Sequence, residues 1–159
     1  TETLASKAPA GMENLDHFGR SILAHSKVYS SNQIFFAAFI GGLPAGCWFL
    51  SRNFKVTGKP GVAMILPWAG WFLGLIISFL MADLIRKYMK GIGIGFVLAA
   101  AFKSVAKKFE SETQWALNNG AYKSDNGQVI GVSLLWVLAY LASIFLVSAV
   151  YIALGLDLP

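Results

Sequence analysis

Three stretches of this 159-residue chain are apolar and free of charge over lengths that suit a lipid bilayer, and no other property constrains its fold as much. They cover residues 34–50, 62–82 and 129–156. At 1.5 Å per helical residue even the shortest reaches roughly 26 Å, close to the thickness of a hydrocarbon core. Composition agrees: 56% of residues are hydrophobic and 13% charged, against about 50% and about 25% for an ordinary soluble domain. A soluble domain of this size would leave apolar surface that it has no means of covering. The expected class is therefore an all-α integral membrane protein. The pattern excludes a soluble globular enzyme, a coiled coil, a disordered chain and a disulfide scaffold.

The flanks carry the polar chemistry. The formal net charge is +5, from 13 Lys and Arg against 8 Asp and Glu. These basic residues sit beside the apolar runs, where anionic lipid headgroups are the expected counter-charge and nucleic acid is not. Residues 1–31 form a polar N-terminal segment without a secretory apolar core, so no cleavable signal is expected before the first span. Met12, Leu15, Phe18, Ile22 and Leu23 recur at helical spacing and suggest an amphipathic helix over about 13–27, on the membrane face or against a partner. Residues 32–159 form the transmembrane bundle. Cys47, the single cysteine, lies in an apolar run and reads as a small packing residue.

Residues 91–102 (GIGIGFVLAAAF) are apolar too, but only about 18 Å long as a helix, and they open on alternating glycines. Such a piece is expected to be re-entrant or half-inserted, followed by a charged surface helix over 103–117. Counting Lys and Arg supports that layout. With three crossings at 34–50, 62–82 and 129–156 and a cytoplasmic N-terminus, ten basic residues lie inside and three outside, which satisfies the positive-inside rule. The alternative of four transmembrane helices divides them six against seven and favours neither orientation.

Small residues recur every fourth position in the first apolar run, at Ala38, Gly42 and Gly46, and again at Gly70 and Gly74 in the second. Such stripes let helix backbones approach closely where lipid supplies no hydrophobic drive. They serve either packing within the chain or docking of a partner. Pro44 is expected to kink the first span. Asp83 stands three and four residues before Arg86 and Lys87, the spacing of an interfacial ion pair. Templates for catalysis and metal binding are absent: His17 and His25 lack ligand-spaced neighbours, and no nucleophile elbow, zinc-protease motif or phosphate loop occurs. No cofactor and no enzymatic activity are expected.

Residues 29–63 resemble a pattern that recurs in small bacterial inner-membrane proteins to which no activity is assigned. The pattern reads Y-S-x-x-Q-I, a phenylalanine followed by Gly-Gly, a small-residue turn, then R-N-F/Y with a later glycine and alanine. Here Tyr29, Ser30, Gln33, Ile34, Phe39, Gly41, Gly42, Ala45, Arg52, Asn53, Phe54, Gly58 and Ala63 match it. The proline departs: this chain has Gly41-Gly42-Leu43-Pro44-Ala45 where those proteins commonly have Gly-Gly-Pro-Leu-Ala. The resemblance implies a bacterial inner membrane and a compact bundle. It marks Gln33, Arg52 and Asn53 as polar positions of interest.

The functional expectation is a non-catalytic polytopic membrane protein that works by protein–protein interaction, as an accessory subunit, assembly factor or toxin-immunity-type partner. Its partner, or a second copy, would dock on the glycine face of the first span. A small channel or carrier is the alternative.

Overall fold

A computed structural model describes residue 23, residues 25–80 and residues 92–155. Among them are five helices and two two-residue strands: β1 (Lys27–Val28), α1 (Ser31–Val56), α2 (Pro60–Leu80), α3 (Ile92–Lys108), α4 (Glu110–Asn118), β2 (Tyr122–Lys123) and α5 (Asn126–Ala153). Three helices, α1, α2 and α5, are long and apolar enough to cross a membrane. The chain is thus an integral membrane protein of helical class. The sequence-expected amphipathic positions Met12 to Ile22 and the Asp83, Arg86 and Lys87 group lie outside the described residues.

The first of these helices is not straight. A 26-residue helix would hold its ends about 39 Å apart. Yet Asn53, near the C-terminus of α1, hydrogen-bonds the backbone of Tyr29, which precedes its N-terminus. The reversal occurs at Gly42, with φ 66° and ψ −159°, a backbone region open essentially to glycine alone. Residues 31–41 and 43–56 are accordingly the two arms of a helical hairpin. Their facing side chains, Ile34 and Ala37 on one arm with Phe49, Leu50 and Phe54 on the other, form the main core together with Tyr29, Ala106 and Val129. The expected kink at Pro44 is corrected: the helix over 34–50 is not straight, and the chain doubles back at Gly42, two residues earlier. Pro44 falls in the first turn of the second arm, where backbone N–H groups have no intrahelical acceptor and a proline is tolerated.

The other helices wrap this hairpin. Helix α2 leaves the open end of the hairpin through the turn at Gly58 (φ 78°), passes the bend where Gly70 meets Leu43 and Cys47, and continues ten residues further. Helix α3 returns along the first arm: Phe96 and Lys103 both contact the Phe35 ring, and Phe102 lies against Gly46. The apolar residues from Ile92 to Phe102 and the basic 103–108 are one unbroken helix of 17 residues, roughly 26 Å long. The alternating glycines do not break it. The charged helix expected over 103–117 is instead divided at Phe109, and its second part is α4, Glu110–Asn118.

At the open end of the hairpin, β1 pairs with β2 in parallel, Lys27 with Tyr122 and Val28 with Lys123. Each strand feeds a helix, so α1 and α5 start side by side and run in the same direction. Ser30 caps α1 in a reciprocal box with Gln33, and the Asp125 carboxylate caps α5 through Gly127 and Gln128 N–H. Leu23, Val28, Trp115, Ala116 and Ala121 close this end with a second small core, against which Val56 packs. All eight described basic residues (Lys27, Arg52, Lys55, Lys59, Lys103, Lys107, Lys108, Lys123) and all three described acids (Glu110, Glu112, Asp125) gather towards it.

Candidate functional site

Polar residues are expensive in an apolar bundle unless they find partners, and here they concentrate where the hairpin is tied shut. Asn53 Nδ2 donates to the Tyr29 carbonyl at 2.7 Å, and Asn53 Oδ1 accepts from Tyr29 N–H at 2.8 Å. Both residues are buried, at 5% and 4% exposure. One amide thus satisfies both main-chain groups of a residue 24 positions away and fixes where the arms end. The Tyr29 ring stands edge-on to Phe49 at 4.7 Å, so the same residue also packs inside the hairpin. Burial pushes its phenol pKa up, opposed by a hydrogen bond with Ser124 and by the Arg52 charge.

Gln33 ties the first arm to α5. Its Nε2 donates to the Ser124 carbonyl at 2.7 Å and to Asn126 Oδ1 at 2.8 Å, while its Oε1 accepts from Ser30 N–H at 3.0 Å. Lys27 donates to Gln128 at 2.7 Å alongside. Lys59 and Glu112 form the one ion pair among the described residues, 2.7 Å, joining the α1–α2 turn to α4. No described buried side-chain N or O atom lacks a partner. The polar set is a fastening, with its hydrogen-bonding capacity spent internally.

The small residues are occupied as well. A Cβ on Gly46 would stand 2.9 Å from both Ala38 and the Phe102 ring, and one on Gly70 would stand 2.6 Å from Cys47. A Cβ on Gly74 would meet Tyr140 Oη at 3.1 Å. Gly41, a match to the family-like pattern, approaches the Ser133 carbonyl of α5. Gly42 differs: a Cβ there would touch only Pro44 Cδ at 3.8 Å, so its glycine serves backbone conformation and not close packing. Ala38 is fully buried. Each position thus works within the chain.

Between α2 and α5 the contact is aromatic. Trp48, Trp136, Trp71 and Tyr140 follow one another at centroid separations of 6.3, 5.4 and 5.9 Å, and Tyr140 Oη lies 2.7 Å from Ser78 Oγ. Beyond Tyr140, residues 141–155 are exposed or half-exposed. The sequence marks Gln33, Arg52 and Asn53 as polar positions and Tyr29 only as a pattern match; it does not mark the partners Ser124 and Asn126, nor Ser133 and Tyr140. A polar side chain at each end of an apolar run was the only available signal, and it does not say which residue it meets. Among the described residues no three His, Cys, Asp or Glu side chains come together as a metal site. No family model, curated protein or solved structure matches the chain.

Proposed function

We propose that this is a non-catalytic polytopic protein of the bacterial inner membrane, with its N-terminus in the cytoplasm, that acts by binding a partner protein or a second copy of itself. In this reading α1 enters from the cytoplasmic side and returns to it without crossing. Helix α2 crosses outward, the chain returns along α3, and α5 crosses outward again. The basic end of the molecule is then cytoplasmic, in keeping with the positive-inside rule.

The observation that carries the interaction reading is the outer half of α5. Leu141, Phe145, Leu146, Val150 and Ile152 are 49–78% exposed on α5, beyond the Tyr140–Ser78 contact with α2. The glycine face of the first helix is filled within the chain, which moves the docking surface from there to α5. A photo-reactive residue at Phe145 in living cells should give a discrete protein adduct, identified by mass spectrometry as a partner or as a second copy. Labelling at Phe145 no stronger than at Ile65, on the outer face of α2, would remove the support for this reading.

A second reading, a small channel built from several copies, is favoured by the hairpin itself, since re-entrant elements commonly line conduction paths. Single-channel steps from the purified protein in planar bilayers, altered by substitution at Gly42, would select it over the first.

A further inference from the structure

The C-terminal arm of α1 and the first two turns of α2 diverge from the turn at residues 57–59 and leave a groove of about 400 Å³ between them. One side carries Arg52 and Lys55, a helical turn apart and both exposed. The other side is apolar: Pro60, Ala63, Met64 and Pro67, with Trp48 and Ser51 also lining it. The Arg52 guanidinium lies 4.7 Å from the centre of the Trp48 ring, which holds its charge at the mouth of the groove. Neither cation has a carboxylate within ion-pair distance among the described residues; the one such pair uses Lys59 and Glu112. Met64, at 76% exposure, and Trp68, at 66%, continue the apolar wall along the outer face of α2.

This is an amphiphilic cleft with two positive charges at its polar end, neither paired with a carboxylate among the described residues, and an apolar track leading away from them. Its polar end sits at the basic end of the molecule, and in the orientation proposed above that end meets the lipid phosphates while the apolar track runs towards the bilayer interior. Free phosphate would match only the charges, and an apolar helix only the track. A lipid whose phosphate carries an unbalanced negative charge matches both.

We propose that this groove binds one anionic phospholipid, its phosphodiester held between Arg52 and Lys55 and an acyl chain lying along Ala63, Met64 and Pro67. Basic recesses between membrane helices are suited to anionic headgroups in just this way, each cation near the surface strengthening the attraction several-fold. The site does not depend on which partner α5 engages.

The test uses the purified full chain in neutral detergent, titrated with phosphatidylglycerol or phosphatidylcholine and read by native mass spectrometry. Phosphatidylglycerol is expected to give a single retained lipid per chain, and phosphatidylcholine a much weaker adduct. Arg52→Gln with Lys55→Gln should weaken phosphatidylglycerol binding about thirtyfold, whereas Lys107→Gln with Lys108→Gln, an equal loss of charge on α3, should leave it unchanged. Met64→Glu, at an exposed position, should abolish binding with both cations intact, and it decides the matter if the double variant fails to fold. Equal retention of the two lipids, equal loss in the Lys107/Lys108 variant, or glycerol 3-phosphate competing as tightly as the lipid would each overturn the proposal.

Discussion

Replacing Asn53 by leucine tests the hairpin where it is most economically held. Leucine keeps nearly the same volume, so the packing of Phe49, Phe54 and Tyr29 should survive. What it removes is both hydrogen bonds to the Tyr29 backbone, at 2.7 and 2.8 Å. Tyr29 is 4% exposed, so its N–H and C=O gain no water in exchange. A buried polar group left without a partner costs about 1–3 kcal/mol; two adjacent ones that share a local relaxation should cost about 2–5 kcal/mol together. With about 2–4 °C of melting temperature per kcal/mol for a chain of this size, the loss should be on the order of 5–15 °C. Thermal unfolding in detergent measures it. The same experiment gains a geometric arm from spin labels at Asn32→Cys and Lys55→Cys in a Cys47→Ala background. A straight helix would separate these positions by about 35 Å, whereas two packed arms hold their axes about 10 Å apart. Asn53→Leu should lower the melting temperature and broaden a short distance distribution. A parent distance near 35 Å, or a variant melting within a degree of the parent, would refute the clasp.

Other substitutions separate backbone, packing and polar contributions. Gly42→Val should cost at least about 1–3 kcal/mol from torsional strain alone, because a Cβ there meets nothing closer than Pro44 Cδ; Gly131→Ala, mid-helix with open space around it, should be neutral or stabilising in the same melts. Gly70→Leu drives a side chain into Cys47 and the Leu43 carbonyl and should separate α2 from the hairpin, seen as increased protease sensitivity in the turn at residues 57–59. Gln33→Leu forfeits three hydrogen bonds and should lower stability by about 2–4 kcal/mol. Glu112→Gln breaks an ion pair whose side chains are 34% and 22% exposed, and should change stability by less than about 1 kcal/mol.

The contrast between these positions explains what the sequence discloses. Hydropathy reports the solvent of each segment, so the helical membrane class and the apolar extents of α2 and α5 are readable from residue types alone. The reversal at Gly42 is not. Seventeen uncharged residues are long enough to span, and nothing in their periodicity distinguishes a span from two short arms. The decisive quantities are the φ of one glycine and two hydrogen bonds from the Asn53 side chain to a main chain 24 residues away, whose location no residue type announces. Gly41-Gly42-Leu43-Pro44 is turn chemistry inside an apolar run, and reading it as a kink underestimates it by most of a half-turn of the chain. The small residues other than Gly42 were legible as close contacts, but the choice between packing within the chain and docking a partner was not, since a stripe looks the same whichever helix it meets. The polar positions marked by the family-like pattern, Gln33 and Asn53, prove to be ends of the fastening, and Arg52 lines the groove beside it.

Charge counting could not have exposed the difference. Place the re-entrant element at 91–102 and Arg52, Lys55 and Lys59 are the three external basic residues; place it at α1 and the three become Arg86, Lys87 and Lys90, with ten internal either way. Both layouts satisfy the positive-inside rule equally, and both put the N-terminus inside and the end of α5 outside. They disagree on the α1–α2 turn. Single cysteines at Lys55, Lys123 and Leu154 in a Cys47→Ala background therefore resolve them with an impermeant maleimide added to intact cells. Lys123 should be shielded and Leu154 labelled under either layout, which calibrates the assay. Shielding at Lys55 follows from a hairpin whose ends meet at Tyr29 and Asn53, while external labelling there requires α1 to run straight through the membrane with that clasp broken.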